Sequence, residues 1–444
     1  MRDTKYKSIV MIGLGYIGLP SAALIASRNI NVIGVDTNKY AVDTINKGLI
    51  HIVEPGLESL VKQVVSAGNL RATAKPEPAD AFLIAVPTPF IGDHQPDLSY
   101  IKVAAKSMAP VLKKGNLIIL ESTSPVGTTD KLASWLAKER PDLSFVGDDP
   151  DIFIAYCPER VLPGQILQEL VENDRIVGGL TTESTKEAVA LYSLFVEGKC
   201  LMTDARTAEM AKLTENSFRD VNIAFANELS LISDKLNINV WELIELANYH
   251  PRVNILQPGP GVGGHCIAVD PWFIVDSAPK ESLLIKQARE VNDEKPYWVI
   301  NRVKQAAKYL DNPTIGCLGL AFKPDVDDLR ESPSLFIAKQ LQQEGIGRLI
   351  TAEPNITECD DLEVLPYEQV VKQSDIVLVL VKHKEFADVH RHISKNTIVI
   401  DACGIFKARL LPKESPFYVN DDSVKNRLSD ASTRMPRILG RNCS

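Results

Sequence analysis

The sequence predicts an α/β protein: two doubly wound parallel-sheet domains joined by a central domain built on a long helix. Three observations predict it. Near-continuous apolar runs of strand length alternate with helical stretches over the first part of the chain. The same order of runs returns from Thr314. Between the two, "TAEMAKLTENSFRDVNIAFANELSLISDKL" repeats apolar residues at three- and four-residue steps. Apolar runs without alternation mark strands buried on both faces of a parallel sheet. Their alternation with helices marks the α/β class, and the 3.6-residue period marks one helix face.

The first element pair is "SIVMIGLGYIGLPSAALIAS", an apolar β-rich run, then Gly13-x-Gly15-Tyr16-Ile17-Gly18, then an alanine-rich helical stretch. A second strand, "INVIGVD", ends in Asp36. A glycine triplet alone is weak evidence, but strand before, helix after and an acid about 20 residues on make a dinucleotide fingerprint. Gly13 permits the turn, Gly15 lets a pyrophosphate approach, and Gly18 lets the helix pack on the sheet. Asp36 takes ribose hydroxyls. No arginine follows it directly, so NAD is expected over NADP.

Further strands follow in "DAFLIAVPTP" from Asp80, "NLIILESTSP" from Asn116 and "DIFIAYCPE" from Asp151. The later half echoes them: "TIGCLGLAF" the first strand and turn, "GRLITAEP" the second with Glu353 near the place of Asp36, then "DIVLVLVKH" and "NTIVIDACG". Both halves are Rossmann-like, but Gly316-x-x-Gly319 lacks the third glycine. The second copy is therefore expected to bind a nucleotide in another way, not a second NAD. The expected boundaries are 1–200 for the NAD-binding domain, 201–300 for a helical central domain, 301–410 for the second Rossmann-like domain and 411–444 for a poorly ordered polar tail. A long apolar-striped helix between domains points to a subunit interface, with solvent bridging as the alternative.

Of the 444 residues, 45% are hydrophobic and 24% charged, with a net charge of −8. Acidity disfavours a general nucleic-acid binder. No run reaches the ~18 apolar residues of a membrane span, and glycine interrupts the N-terminal apolar run too soon for a signal peptide. The seven cysteines are scattered and lack CxxC spacing, which argues against a disulfide framework or a zinc site and fits a reducing cytoplasm.

"GPGVGGHCIAVD" places four glycines before Cys266. Glycine admits a close approach of backbone or ligand, so the stretch suggests a site where something bulky lies next to the thiol; a tight turn beside a buried cysteine is the plain alternative. A thiolate is the reactive form, and Asp270 follows as a proton acceptor. Adjacent residues rarely ligate one ion, so metal binding by His265 and Cys266 is not expected. Lys212 and Asn216, four apart, share a helix face; Lys212 could stabilise a developing oxyanion, or, with acids at 209 and 215, belong to a solvated charged face. Glu159 and Thr123 stand at the carboxyl ends of expected strands, where open α/β sheets meet their ligands.

Together "GLGYIGLP", "VPTP", "ESTSPVGTT", "CPERVLPG", "AEMAKLTENSFRDVNIAFANEL", "GPGVGGHCIAVDP" and "LAFKPDVDDLRESPS" resemble the UDP-sugar 6-dehydrogenases, in the family's order and over nearly the whole chain, about 7 to 407. These enzymes oxidise a sugar C6 alcohol to a carboxylate with NAD. "HPRVNILQPGPGVGGHCIAVDPWF" and "AREVND" are most similar to the acetamido-sugar branch, whose substrate is UDP-N-acetyl-D-mannosamine. The resemblance implies Cys266 as nucleophile and Lys212, Asn216 and Asp270 as its active-site set. It implies Thr123 and Glu159 as placing water and assisting hydrolysis. Pro87 and Thr88 of "VPTP", Thr123 and Arg330 are implied beside NAD. Arg160, Gly263, Lys323 and, across a dimer interface, Arg252 are implied beside the substrate. UDP-glucose enzymes carry a second acid shortly after the Pro-Glu pair; here Pro163 and Gly164 occupy that region. The resemblance thus implies a cytoplasmic homodimer or higher oligomer with no membrane or nucleic-acid partner.

Overall fold

The computed structural model describes residues 5–406 apart from Asp93, Asp148, Pro163 and His265. The expected tail from Leu411 on lies outside the described residues. The chain forms two compact units, Met1–Glu215 with Trp272–Glu281 and Asn216–Pro271 with Ser282–Ser444.

The first unit is built on β1 (Ser8–Ile12), β2 (Asn31–Val35), β3 (Leu70–Thr73), β4 (Ala81–Ile84), a short ribbon of β5 (Phe90–Ile91) and β6 (Gln95–Pro96), β7 (Leu117–Leu120), β8 (Phe153–Tyr156), β9 (Arg175–Gly179) and β10 (Cys200–Asp204). Its sheet runs β10-β9-β8-β7-β4-β1-β2-β3. From β3 to β8 all pairs are parallel, the doubly wound order with the chain reversal beside β1. Successive residues enter opposite cores: Ile9, Met11, Leu83 and Ile119 on one face, Val10, Ile12, Phe82 and Ile118 on the other. This two-sided burial is why the strands read as unbroken apolar runs.

Residues 175–204 carry two strands that periodicity does not announce. β9 pairs antiparallel with β8, and β10 parallel with β9. β9 is "RIVGG", two of whose five residues have no side chain to show a pattern. Tertiary packing requires those glycines: a Cβ on Gly178 would stand 2.1 Å from the Asp204 carbonyl oxygen. The region from 201 therefore opens with a strand, and the long helix begins at Ala205 and runs to Lys235.

In the second unit β11 (Thr314–Leu318), β12 (Arg348–Ala352), β13 (Ile376–Val379) and β14 (Ile398–Asp401) form an all-parallel sheet in the order β12-β11-β13-β14. It too is covered on both faces. The internal echo extends to the backbone. Gly13 and Gly319 both have φ +93°. The Gly13 N–H donates to the Val35 carbonyl at 2.8 Å, and the Gly319 N–H to the Ala352 carbonyl at 2.8 Å.

The remaining helices of the second unit include Val240–Asn248 and Leu283–Ala307. The latter meets the long helix through a buried polar chain. Arg289 donates to Asp220 (2.6 Å), Asn292 to Asp220 (2.8 Å), and Asn227 to Asn292 (2.8 Å), while Asn227 accepts the Gly259 N–H (2.9 Å). No helix among the described residues is long and apolar enough to cross a membrane.

Candidate active site

The glycine fingerprint of the first unit divides into two jobs. A Cβ on Gly18 would stand 1.8 Å from the Gly13 carbonyl oxygen, and one on Gly13 2.4 Å from that of Ala85. These glycines are demanded by the protein's own backbone. Gly15 differs: a Cβ there meets nothing within 4 Å, so the space over it is open. The helix Gly18–Ala26 that follows has no side-chain cap at Ile17, which leaves N–H groups for an anion. Tyr16 is exposed and Ile17 half-buried. Half-buried Asp36 accepts from Leu14 N (2.9 Å) and Asn38 N (2.8 Å) and keeps lone pairs for ribose hydroxyls. The turn, open space and acid fit NAD.

The loops after β4 and β7 are tied together beside this turn. Thr88 donates its hydroxyl to the Thr123 carbonyl (2.7 Å), and Val86 N donates to the Ser122 hydroxyl (2.9 Å). Ser122 was not expected from sequence; only the fold brings its loop against "VPTP". Pro87 is exposed there, and Thr123 half-buried.

Glu159 follows β8 with its side chain only 8% exposed. One oxygen accepts from Arg160 N (2.8 Å), the other from Arg175 (3.0 Å). The Arg160 head is itself held by Glu215 (2.8 Å) and the Asp174 carbonyl. Pro163 lies outside the described residues; Gly164 donates its N–H to Glu54 (2.9 Å).

The acids flanking Lys212 do not form a solvated face. Glu209 is fully buried and caps the helix Thr128–Glu139 by accepting from Gly127 N, Thr129 N and the Thr129 hydroxyl at 2.6–2.8 Å. Glu215 pairs with Arg160. Lys212 is buried, and among the described residues its ammonium forms no ion pair or side-chain hydrogen bond. An ammonium with no ion partner of its own is available to an anionic ligand group.

One turn on, buried Asn216 donates to Asp270 at 2.5 Å, joining residues 54 apart in sequence. Asp270 opens the helix Asp270–Ser277, and its N–H donates to the Cys266 carbonyl (2.9 Å). Cys266 is half-buried in that turn; His265 lies outside the described residues. The glycines before it answer mainly to the chain itself. A Cβ on Gly263 would stand 2.4 Å from the Glu331 carbonyl oxygen, one on Gly261 2.9 Å from Pro333, and one on Gly264 3.0 Å from the Phe322 ring. The loop is thus seated on "FKPDVDDLRESPS", and the space that sequence assigns to a ligand is, at three of the four glycines, filled by protein. Within that motif Lys323 is half-buried near the Phe322 ring, and Arg330 is exposed and paired with Asp328 (2.7 Å). Arg252 is exposed.

In the second copy, Glu353 accepts from Leu320 N (2.7 Å) and Ala321 N (3.0 Å) and faces Nε2 of buried His383 (3.2 Å). It is consumed inside the protein, unlike Asp36. No helix directly follows Gly319; the next is Pro333–Gln343. A second NAD site of the first kind is therefore absent from the described residues. A cavity of about 440 Å³, bounded by Asp325, Lys382, Lys384, His390 and Phe406, opens near the carboxyl ends of β13 and β14 instead. Asp325, His383 and Glu385 have ligand atoms within 4.8 Å, but His383 Nδ1 already accepts from Asp325 N (3.0 Å). Its two nitrogens tie the loop to Glu353, which gives the cluster a structural role.

Known proteins carry the same organisation. Residues 7–196, 206–294 and 316–408 match the NAD binding, central and UDP binding domains of the UDP-glucose/GDP-mannose dehydrogenase family. A UDP-N-acetyl-D-mannosamine dehydrogenase of Campylobacter jejuni is 61% identical over 87% of this chain and 97% of its own. An NDP-N-acetyl-D-galactosaminuronic acid dehydrogenase of Ralstonia nicotianae is 58% identical over 92% and 98%. Among solved structures, a UDP-N-acetyl-mannosamine dehydrogenase from S. aureus is 44% identical with a TM-score of 0.82, covering 90% of this chain and 96% of that one. With all three domains matched in order, the chain belongs to the UDP-glucose/GDP-mannose dehydrogenase family and is an NAD-dependent dehydrogenase of UDP-sugars.

Proposed function

We propose that the protein oxidises the C6 alcohol of UDP-N-acetyl-D-mannosamine to the carboxylate, giving UDP-N-acetyl-D-mannosaminuronate, with Cys266 as the covalent nucleophile. The observation that carries the site is the buried Asn216–Asp270 hydrogen bond, at the start of the helix that directly follows the Cys266 turn. The sugar rests on the 61% identical Campylobacter jejuni relative and on the Pro163–Gly164 pair where a UDP-glucose enzyme has an acid.

NAD, when bound, supplies the hydride acceptor for both two-electron oxidations. Gly13, Gly15, Tyr16, Ile17, Gly18, Asp36, Pro87, Thr88, Thr123 and Arg330 are the residues assigned to hold it. The Cys266 thiolate adds to the C6 aldehyde and holds it as a thiohemiacetal, so no free aldehyde escapes. After the second oxidation the sugar is a thioester on Cys266. Water opens it, and the thiolate returns as the carboxylate leaves. Lys212 and Asn216 stabilise the developing oxygen charge. Asp270 accepts protons, and Glu159 with Thr123 places the hydrolytic water. Lys323, Gly263 and Arg160 border the nucleotide sugar, and Arg252 is assigned to the neighbouring subunit's site.

A homodimer or higher oligomer is part of this reading. Phe218, Phe225 and Ile232 recur every seventh residue along the long helix and are 68%, 54% and 46% exposed. An apolar stripe of that spacing fits a partner helix. Cytoplasmic residence follows from the reduced thiol that the chemistry needs.

A galacto-configured acetamido sugar is the second reading, favoured by the Ralstonia nicotianae relative. The UDP-N-acetylglucosamine and UDP-glucose enzymes, and a silent NAD-binding regulator, are further alternatives. A panel of these UDP-sugars with NAD separates them by kcat/KM and by NADH counted per sugar. The expected result is two NADH per product and tenfold to a hundredfold preference for N-acetylmannosamine over glucose, from unpaired polar groups at ~1–3 kcal/mol each. UDP-glucose equal to or above the acetamido sugars refutes the branch. Another acetamido epimer in first place refutes only the choice within it, and no NADH refutes the enzyme.

A further inference from the structure

Behind Glu159 lies a second carboxyl that the chemistry above does not use. Glu121 directly follows the strand β7 and is buried, as are Tyr192, Cys157 and Arg175 around it. Tyr192, from the helix Thr182–Tyr192, donates its hydroxyl to one Glu121 oxygen at 2.6 Å. The other oxygen has no hydrogen-bond partner. Arg175, from β9, donates to Glu159 at 3.0 Å and lies over the Tyr192 ring with its guanidinium carbon 4.8 Å from the centroid. The Arg175 Nε is also without a partner. Cys157, from the segment after β8, faces the same group, its thiol pushed up to about 12 by burial. One guanidinium thus stands within electrostatic reach of two carboxyls.

A buried carboxyl with an unpaired oxygen favours its neutral form. Burial pushes Glu121 up to about 7, Glu159 adds to the rise, and Tyr192 and Arg175 oppose it. A charge change near neutrality, next to the only ion pair that holds Glu159 among the described residues, has a direct consequence for that residue.

We propose that Glu121 is a positioning residue acting on Glu159 through Arg175: neutral Glu121 leaves the guanidinium to Glu159 alone, and ionised Glu121 shares it. Sharing leaves more of the Glu159 charge uncompensated and makes it the better proton acceptor toward hydrolytic water. The proposal rests on the reading that Glu159 assists thioester hydrolysis, so the experiment tests the two separately.

Rapid-quench measurement of uronate formation across the neutral range, with UDP-N-acetylmannosamine and NAD, is made for wild type, Glu121→Gln and Glu159→Gln. In wild type the hydrolytic rate rises through an inflection near the Glu121 value of about 7. Glu121→Gln keeps the acid-side rate, because glutamine mimics the neutral acid. It loses the inflection and falls about fivefold below wild type on the alkaline side, the size of a modest charge–charge coupling. A Glu121→Gln profile parallel to wild type, with Glu159→Gln strongly impaired, overturns the proposal and leaves the Glu159 reading standing. Glu159→Gln hydrolysing at the wild-type rate overturns the Glu159 reading itself. The charge link has its own readout in the infrared carbonyl band of the protonated Glu121. Its titration midpoint falls in Glu159→Gln, which removes the like charge and frees Arg175; an unchanged midpoint refutes the link. Should Glu121→Gln not fold, Tyr192→Phe removes the hydrogen bond that favours ionised Glu121 and shifts both inflection and midpoint to higher pH. No shift there overturns the proposal equally.

Discussion

A series of glycine-to-alanine changes tests whether space at each glycine belongs to the protein or to a ligand. At Gly263 an added Cβ would lie 2.4 Å from the Glu331 carbonyl oxygen, 2.8 Å from Pro333 Cδ and 2.9 Å from Phe322 Cβ. Backbone and ring atoms of that kind do not swing aside, and Glu331 is already held at φ +50°. Relieving the clash displaces one loop against the other, an overpacking cost of ~1–3 kcal/mol. Cys266 lies three residues on, and a misplacement of about 1 Å at a reacting group can lower the rate ~100-fold. Gly259 is the internal control, because a Cβ there meets only the Gly261 carbonyl oxygen at 3.9 Å. Gly15 is the opposite case, open to 4 Å. Gly15→Ala is expected to leave stability unchanged and to weaken NAD at least about tenfold, or ~1.4 kcal/mol. Urea-unfolding midpoints, NAD titration and kcat/KM give the three readouts. Gly263→Ala matching Gly259→Ala in both stability and activity refutes the packing argument. Gly15→Ala binding NAD like wild type refutes the open-cradle argument.

Asp36→Ala is expected to narrow the preference for NAD over NADP, because the carboxylate both receives ribose hydroxyls and repels a 2′-phosphate; comparable kcat/KM for the two cofactors in wild type sinks this. Mixing Cys266→Ala with Arg252→Ala subunits, each nearly inactive alone, is expected to restore activity through one intact hybrid site. No recovery despite demonstrated subunit exchange places Arg252 in its own chain's site. Glu121 also makes stability depend on pH. Its folded value, about 7, lies above its ordinary 4.5, so its contribution is fully present below 4.5 and is lost as pH rises through 7. The stability of wild type relative to Glu121→Gln should therefore fall by at most a few kcal/mol over that window. A difference independent of pH, in urea midpoints of the two proteins, contradicts it.

The sequence made the first unit legible because local pattern and tertiary environment agree there. Strands such as "SIVMI" and "LIIL" are buried on both faces, so burial writes itself as an unbroken apolar run. The antiparallel β9 and the strand β10 were not legible, since "RIVGG" is short and ends in glycines and "CLMTD" is partly exposed. The acid at 209 read as part of a charged face because sequence cannot tell a solvated carboxylate from one that caps a helix 80 residues away.

By itself the sequence determined the α/β class, the repeat of its halves, the residue types for dinucleotide binding and the thiol with its candidate partners. Each rests on short-range spacing, which the geometry of a strand, turn or helix fixes locally. Only the tertiary structure decided which glycines face the chain and which face open space. It also decided that Asn216 meets Asp270, that Glu353 is consumed by His383 while Asp36 is not, and that Glu121 stands behind Glu159. Those outcomes depend on atoms brought together from distant segments in a low-dielectric interior, where separation and burial set each interaction and sequence distance sets neither.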